Sequence, residues 1–249
     1  MSNILQKIVA DLRLEVERKK QNTPLDEYNF PFRPSFRAAF PGIIAELKKA
    51  SPSQGIIREN FDVISLALEL EQAGAAALSV LTEPNYFRGS INYLQTVSKT
   101  VVIPLLRKDF IFDRYQILEA RHAGASAVLL IAAMLPQKEL IALGEYAISI
   151  GLDVLGEAHN EEEVKRLLDS PATLIGVNAR DLGTFATDLK QVEKLLEFIP
   201  PERYPIAESA IKNREDIRIL KNAGAKGFLI GETLMRSSSP GAKLKELMQ

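Results

Sequence analysis

The sequence predicts an α/β fold in which eight parallel strands, each followed by a helix, close into a (β/α)₈ barrel with an N-terminal helical extension. One phrase recurs three times, as a helix end followed by Ala-Gly-Ala and an apolar run: QAGAAALSVL (72–81), HAGASAVLLI (122–131) and NAGAKGFLI (222–230). Glycine suits the left-handed residue that ends a helix, and the apolar run suits a strand buried on both faces. The spacing of the copies indicates a repeating βα unit of roughly 25 residues.

Further strand and helix patterns fill the intervals between these phrases. We predict strands at 42–47, 76–81, 102–107, 126–131, 152–157, 173–177, 204–208 and 226–230. We predict helices at 62–73, 90–99, 113–123, 136–149, 161–169, 188–198, 213–223 and 240–247. Strict alternation indicates a parallel sheet, and eight units match a TIM barrel. A doubly wound open sheet is the alternative, although no G-x-G-x-x-G follows the first predicted strand.

The segment SNILQKIVADLRLEVERKK (2–20) predicts an amphipathic helix packed on the barrel. Its apolar residues recur at helical spacing: Ile4, Leu5, Ile8 and Leu12. Asp11 and Arg13 interrupt them, which argues against a signal peptide or a spanning helix, and acidic residues disfavour the alternative of a membrane-surface helix. We expect residues 1–249 to form one domain, with 1–41 as an extension packed on the barrel.

The composition narrows the classes of function. The chain has 249 residues, 46% of them hydrophobic, which is enough for one sizeable core. A net charge of −1 gives no electrostatic reason to expect nucleic acid or membrane partners. The absence of cysteine excludes structural disulfides and thiolate metal sites and fits a reducing, cytoplasmic compartment. A surface rich in acids and lysines, without an obvious exposed apolar helix face, favours a monomer.

Polar residues follow the apolar part of the predicted strands, at the end where such barrels carry their chemistry. The stretch IIAELKKASPSQG (43–55) ends its strand with Glu46 and Lys48 on one face. Other strand ends carry Lys108, Glu157, Asn178, Glu208, Ser209 and Gly231. A single charge at the rim is often only solvated. Two lysines and two or three glutamates that converge on one concave mouth instead predict acid–base chemistry on a small substrate.

Two loops resemble the phosphate-binding region of many barrels. AESAI (207–211) and LIGETLMRSSSPG (229–241) follow the seventh and eighth predicted strands. Barrels often bind phosphate there through backbone N–H groups. Ordinary βα-turn chemistry explains both stretches equally well, so both interpretations stay open at this point.

Other chemistries find less support in the sequence. His122 and His159 fall on a helix and in a loop without metal-ligand spacing, so we expect surface roles for both. Ser51 and Ser209 have no partner histidine at a recognisable position, which argues against a hydrolase triad.

Seven blocks of the sequence carry a resemblance to a known family. IIAELKKASPSQG matches the signature I-A-E-x-K-x-x-S-P-S, which is long and specific. The other blocks follow in the family's order: LTEPNYFRGS, PLLRKDFI, LLIAAML, GVNARDL, IAESAI and FLIGETLMR. The match runs from RPSFRAAF (33–40) to the end of the sequence. The chain thus resembles the indole-3-glycerol phosphate synthases of tryptophan biosynthesis, which are (β/α)₈ barrels with an extra N-terminal segment.

The resemblance implies a reaction that needs no cofactor or metal. The substrate would be 1-(2-carboxyphenylamino)-1-deoxyribulose 5-phosphate, whose carboxylate-bearing ring carbon attacks the C2′ carbonyl before CO₂ and water are lost. By position, Lys108 is implied as the general acid of ring closure and Glu157 as the proton-transfer group of dehydration. Glu46 and Lys48 are implied to assist, and the division of the dehydration role stays open because groups this close titrate together.

The resemblance also implies the substrate contacts. Asn178 and Ser209 complete the catalytic set, and Arg180 suits the anthranilate carboxylate. The other implied substrate-binding residues are Ser51, Phe87, Phe110, Leu129, Leu182 and Glu208. The phosphate is implied to lie on Lys48 and on the backbone of Ala210, Gly231 and Glu232.

Two positions depart from the family pattern. We expect Ser-Gly where this chain has Ser209-Ala210, and a small hydroxyl residue where it has Glu232. Alanine keeps the N–H but tolerates a left-handed φ poorly. A glutamate beside a phosphate is unfavourable unless its side chain turns away. These two departures bear on phosphate affinity more than on the chemistry. Ala179, where a small polar residue is expected, is a milder departure.

Two other functions stand as alternatives. A phosphoribosylanthranilate-type sugar-phosphate isomerase would use an Asp or Cys pair at strand ends, whereas this chain has no cysteine and ends its first strand in Glu-x-Lys. A catalytically silent barrel that acts as a binding protein would have no need of Glu46, Lys48, Lys108 and Glu157 together, because barrel stability does not require four rim charges.

Overall fold

A computed structural model describes residues 3–26, 30–31, 33–178 and 188–249, and its strands confirm the predicted barrel. The strands are β1 (Gly42–Leu47), β2 (Ala50–Ser51), β3 (Gly55–Ile56), β4 (Ala77–Leu81), β5 (Leu105–Lys108), β6 (Ala127–Ile131), β7 (Asp153–Ala158), β8 (Leu174–Asn178), β9 (Tyr204–Glu208) and β10 (Gly227–Ile230). Eight of these strands pair in parallel around a closed ring, in the order β1-β10-β9-β8-β7-β6-β5-β4. The doubly wound alternative is wrong, because a closed ring leaves this sheet without an edge.

Helices alternate with the barrel strands, as predicted. The described ranges contain α1 (Asn3–Asn22), α2 (Val63–Gln72), α3 (Ile91–Ser98), α4 (Arg114–His122), α5 (Gln137–Ser149), α6 (Glu161–Leu168), α7 (Leu189–Leu196), α8 (Arg214–Asn222), α9 (Glu232–Met235) and α10 (Pro240–Met248), with a 3₁₀ turn at Arg37–Ala39. Helices α2 to α8 connect consecutive barrel strands, α1 precedes the barrel, and α9 and α10 follow its last strand. Side chains such as Asp62, Asp113 and Asn213 accept backbone N–H groups of the first turn and so fix where a helix begins.

The recurring Ala-Gly-Ala phrase marks three helix ends. Gly74, Gly124 and Gly224 have φ values of 99°, 88° and 106°. Each residue directly follows the last turn of α2, α4 or α8 and reverses the chain in the left-handed conformation. The strands that follow, β4, β6 and β10, are buried along their whole length, as expected of barrel strands covered on both faces.

The predicted strand at 102–107 is only partly correct. Pairing begins at Leu105, because Pro104 has no N–H for the ladder and Val102 is 80% exposed. The N–H groups of Val102 and Ile103 instead donate to the Glu71 carboxylate at 2.7 and 3.2 Å. The sequence analysis also missed the β2–β3 hairpin and α9, which are too short to show a periodic pattern.

Helix α1 confirms the predicted N-terminal amphipathic helix. Its apolar residues are buried on one face: Leu5, Ile8, Leu12 and Val16. Two ion pairs tie its C-terminal turn to α4, from Lys19 Nζ to Glu119 at 3.1 Å and from Lys20 Nζ to Asp113 at 3.0 Å. The extension therefore covers the barrel with its apolar side, which leaves that side unavailable to a lipid surface.

Substitutions on opposite faces of α1 test this docking. Leu12 is 4% exposed and Leu14 is 78% exposed. We expect Leu12→Ala to lower the free energy of unfolding by about 2–4 kcal/mol through lost burial and a residual cavity. Leu14→Ala, with the same change in composition, should shift it by less than about 0.5 kcal/mol. Urea titration measures both, and equal effects of the two substitutions would contradict the docked arrangement.

Candidate active site

A cavity of about 530 Å³ opens at the C-terminal ends of the barrel strands. Every predicted site residue that the structure describes lines it: Glu46, Lys48, Ser51, Phe87, Lys108, Phe110, Leu129, Glu157, Asn178, Glu208, Ser209, Ala210, Gly231 and Glu232. Arg180 and Leu182 lie outside the described residues. Barrel closure thus brings together side chains that are more than 150 residues apart in the sequence.

Lys108 is the centre of the polar cluster. Its Nζ lies 2.9 Å from Glu157 Oε2 and 3.4 Å from Glu208 Oε2. The three side chains come from the ends of β5, β7 and β9. All three are largely buried, so their charges act on one another with little screening by water.

The ionisation of this cluster is uneven. Burial alone would lower the pKa of Lys108, but the charges of Glu157, Glu208 and Glu46 outweigh burial and raise it. Burial would raise the pKa of Glu157, whereas Lys108 and His159 hold that pKa well below its usual range. Burial raises the pKa of Glu208 to about 8, although the Lys108 ammonium opposes the change. At neutral pH the cluster therefore contains an ammonium, the Glu157 carboxylate and a protonated Glu208.

A second ion pair lies at the end of β1. Lys48 Nζ is 2.5 Å from Glu46 Oε1, and the two residues lie on the same face of the strand end. A Cβ at Gly231 would overlap Glu46 Oε1 and stand 3.0 Å from Lys48 Nζ. Glycine is therefore needed after β10 to leave room for this pair. Gly176 on β8 makes room for the Glu208 carboxylate in the same way.

A buried network outside the barrel ring holds the end of β5 in place. Arg107 is buried and forms ion pairs with Asp109 at 3.0 Å and with Glu119 at 2.8 Å. Its Nε donates to Thr82 Oγ1, and its Nη1 donates to the backbone oxygen of Gln116 at 2.6 Å. Because Arg107 and Asp109 flank Lys108 in sequence, these contacts fix the strand that carries the central ammonium.

Apolar residues also line the cavity. The rings of Phe87 and Phe110 lie 5.9 Å apart, centroid to centroid, at 46°. Further lining residues that the sequence did not predict come from strand ends and from α1: Leu81, Ile131, Leu229, Ile4, Leu5 and Ile8. Alternation along the strands could have indicated the first three, whereas nothing local indicates that α1 reaches the barrel mouth.

The loops after β9 and β10 form the remaining wall. Ser209 and Ala210 have φ values of 66° and 61°, so two non-glycine residues adopt the left-handed conformation. Ser209 Oγ donates to Asn178 Oδ1 at 2.7 Å. The Glu232 carboxylate accepts from Arg236 Nε at 3.0 Å, and Arg236 also donates to Gln54 Oε1 at 2.9 Å. The Glu232 side chain is thus engaged by a cation.

His159 does not have the predicted surface role. It is 9% exposed, and its Nε2 lies 3.3 Å from Glu157 Oε1. Its Nδ1 lies 3.1 Å from Glu163 Oε2. Burial would lower the pKa of His159, but these two carboxylates raise it to about 10. The sequence could have indicated this contact, because His159 follows Glu157 by two residues, and in an extended chain that spacing places the two side chains on the same face. His122 is only partly buried, at the end of α4.

Two features are absent from the part of the chain that the structure describes. No group of three or more His, Cys, Asp or Glu side chains there is arranged to hold a metal ion. No helix within those ranges is both long and apolar enough to cross a membrane.

The sequence matches a family described as indole-3-glycerol phosphate synthase over residues 5–247. A relative of that name from Koribacter versatilis (strain Ellin345) is 49% identical over 259 aligned positions, which cover 100% of both chains. One from Alkaliphilus metalliredigens (strain QYMF) is 44% identical and covers 98% of this chain and 97% of its own. One from Aliarcobacter butzleri (strain RM4018) is 53% identical and covers 79% of this chain and 75% of its own.

Solved structures share the fold at low identity. A 3-hexulose-6-phosphate synthase superposes with a TM-score of 0.67 at 13% identity, over 83% of this chain and 97% of its own. A tryptophan synthase α-subunit mutant from Pyrococcus furiosus superposes with a TM-score of 0.65 at 16% identity, over 84% of this chain and 98% of its own. At such identities the likeness supports the barrel and carries nothing about activity.

The left-handed conformation at Ala210 predicts a gain in stability on substitution by glycine. Alanine at this φ carries a steric cost of about 1 kcal/mol that glycine avoids. We expect Ala210→Gly to raise the free energy of unfolding by about 0.5–1 kcal/mol in urea titrations. Ala142→Gly, within α5, is the matched control and should lower it by about 1 kcal/mol. A loss of stability in Ala210→Gly would show that the backbone there is not strained.

Proposed function

The chain belongs to the indole-3-glycerol phosphate synthase family of carboxy-lyases in tryptophan biosynthesis, and we propose how its residues carry out that reaction. The substrate is 1-(2-carboxyphenylamino)-1-deoxyribulose 5-phosphate, and the products are indole-3-glycerol phosphate, CO₂ and water. The observation that carries the proposal is the buried Lys108 ammonium between Glu157 and Glu208 in one cavity. The isomerase alternative is wrong, because the chain belongs to a different family. A catalytically silent barrel would have no need of such a buried charged cluster.

Lys108 serves as the general acid of ring closure. As the aromatic carbon bonds to C2′, electrons move onto the carbonyl oxygen, and the ammonium donates a proton to give a hydroxyl group. Neighbouring carboxylates raise the pKa of Lys108, so the ammonium keeps its proton until negative charge develops on the carbonyl oxygen. The interaction strengthens as charge develops on the oxygen, and it therefore lowers the barrier more than it tightens substrate binding.

Glu157 serves in the dehydration that follows decarboxylation. Loss of CO₂ returns the bonding electrons to the ring and restores its aromaticity. The C2′ hydroxyl then leaves as water with an added proton, and C1′ loses a proton to form the indole double bond. Glu157 is ionised and can accept a proton, while the Glu46–Lys48 pair assists from β1.

The apolar wall suits the anthranilate ring. Phe87, Phe110 and Leu129 line the cavity with apolar surface, and the Phe87 and Phe110 rings are in contact. Ser51 Oγ is buried with no hydrogen-bond partner among the described residues, so a substrate polar group would satisfy it. Arg180 is assigned to the substrate carboxylate, and Leu182 to the ring pocket, by family resemblance.

The phosphate is assigned to the wall formed by the loops after β9 and β10. The donors are the Lys48 ammonium and the backbone N–H groups of Ala210, Gly231 and Glu232. Engagement of Glu232 by Arg236 offsets the negative charge that would otherwise oppose the phosphate. Ser209 and Asn178 join this wall to the catalytic end through their hydrogen bond.

We also propose that residues 1–249 act as a single domain and as a monomer in the cytoplasm. Burial of Leu5 and Ile8 and the α1–α4 ion pairs support 1–41 as an extension of the barrel domain. The composition without cysteine fits a reducing compartment.

Product fluorescence tests the activity directly. The product carries an indole, and the chain has no tryptophan to mask its emission. We expect indole fluorescence to rise when the folded protein is mixed with the carboxyphenylamino substrate. A flat signal from a protein with intact near-ultraviolet circular dichroism would contradict the proposed function.

Substitution of Lys108 tests its role as the acid. We expect Lys108→Ala to lower kcat at least about a hundredfold, with KM changed only a few-fold, because the ammonium acts mainly in the transition state. Lys99→Ala, which removes an exposed lysine at the end of α3, is the matched control and should keep the wild-type rate. A Lys108→Ala enzyme with a near-wild-type kcat would show that another group supplies the proton.

A further inference from the structure

His159 connects Glu157 to a carboxylate that does not line the cavity. Its Nε2 lies 3.3 Å from Glu157 Oε1, and its Nδ1 lies 3.1 Å from Glu163 Oε2. Neither His159 nor Glu163 is among the residues that line the substrate cavity. His159 therefore has no access to substrate, and any effect it has on the reaction passes through Glu157.

The imidazole is fixed from several directions. Glu163 Oε2 accepts the backbone N–H of His159 at 2.8 Å as well as facing its ring. Asn160 Nδ2 donates to the other oxygen of Glu163 at 2.8 Å. The backbone oxygen of His159 accepts from Gln191 Nε2 at 2.8 Å, which anchors the residue to α7. The ring thus has little freedom to turn away from Glu157.

Both ring nitrogens face carboxylate oxygens. A neutral imidazole has only one N–H, so it would direct a lone pair at one of the two carboxylates. An imidazolium presents an N–H to each of them. His159 Nε2 and Glu157 Oε1 are close enough to form an ion pair, although they lack hydrogen-bond geometry. Because the site is buried, their attraction still favours the charged ring.

The two glutamates beside Lys108 differ in the number of cations that they contact. The Oε2 atoms of Glu157 and Glu208 both face Lys108 Nζ, and among the residues that the structure describes only Glu157 has a second cation at its other oxygen. Glu208 Oε1 is buried with no hydrogen-bond partner among the described residues. We propose that His159 is a positioning residue whose imidazolium keeps Glu157, rather than Glu208, as the ionised glutamate of the pair and holds its carboxylate on Lys108.

Charge balance supports this assignment. Lys108 from β5 and His159 after β7 contribute two positive charges, and Glu157 and Glu163 contribute two negative charges. Glu208 from β9 can then stay protonated, and the five groups are neutral together. Glu46 from β1 also faces this cluster, but Lys48 neutralises it at 2.5 Å. A neutral His159 would leave an uncompensated buried carboxylate, which is costly.

The inference deepens the proposed function, because it assumes that Glu157 accepts a proton in the reaction. Loss of a neighbouring cation raises the pKa of a carboxyl group and changes its ratio of ionised to protonated form by about tenfold or more. In His159→Gln the proton of Glu208 is shared with Glu157, so the ionised form of Glu157 is lost at higher pH than in the wild type. We expect kcat to fall about tenfold at neutral pH, KM to stay within about twofold, and the acidic limb of the kcat profile to move to higher pH.

Nitrogen NMR of the histidine rings tests the charge on His159 without reference to activity. The chain has only two histidines, so ¹⁵N-histidine labelling gives two ring systems, and His122→Gln assigns them. At neutral pH we expect both His159 ring nitrogens to carry protons. A His159 ring with one unprotonated nitrogen at neutral pH would overturn the proposal, whether or not the protein has the proposed activity.

Kinetics then separate positioning from structure. Glu163→Gln, like His159→Gln, should lower kcat and move the acidic limb of the kcat profile to higher pH, because it removes the carboxylate that orients the ring. Glu162→Gln, one residue earlier on α6 and exposed, is the matched control and should leave kcat and its pH profile unchanged. His159→Lys, which restores a cation, should recover part of the rate lost in His159→Gln. A pH profile of His159→Gln that superimposes on the wild-type profile, or a Lys variant no better than Gln, would overturn the positioning role.

Discussion

A buried ammonium beside two carboxyl groups is the interaction on which this molecule depends. Removing an ion from water costs several kcal/mol, and a pair recovers this only with close and well-aligned partners. Lys108 meets that requirement at 2.9 Å from Glu157 and 3.4 Å from Glu208. One ammonium cannot neutralise two carboxylates in a dry cavity, so one glutamate must hold a proton. The cluster thus holds an ammonium, an ionised glutamate and a protonated glutamate in contact with one another.

The barrel supplies the geometry, and buried residues around it supply the rigidity. Closure of the ring places the ends of β5, β7 and β9 around one axis, where their side chains converge. Arg107 holds the β5 end from outside the ring, and His159 holds Glu157 through its other oxygen. In the loop after β9 the backbone is instead strained, because Ala210 adopts a conformation that suits glycine.

Much of this arrangement was predictable from the sequence, because barrel positions follow from periodicity. The Ala-Gly-Ala phrases located helix ends, and strand alternation placed Glu46, Lys48 and Lys108 at one rim. Long-range and backbone effects were not predictable in the same way. Nothing around Val102 indicates that Glu71 captures its N–H, and nothing around Ile4 indicates that α1 reaches the cavity. His159 was misjudged because its partner Glu163 belongs to the next helix, so its burial depends on how that helix packs.

The most direct measurement of the central claim is the infrared spectrum of protonated carboxyl groups. Ionised carboxylates lack the carboxylic-acid C=O stretching band, so a buried protonated glutamate gives a separate signal at neutral pH. The account predicts such a band in the wild-type protein, its loss as pH rises through about 8, and its absence from Glu208→Gln. A wild-type spectrum without the band at neutral pH, or a band that survives in Glu208→Gln, would show that Glu208 does not hold a proton beside Lys108 and Glu157.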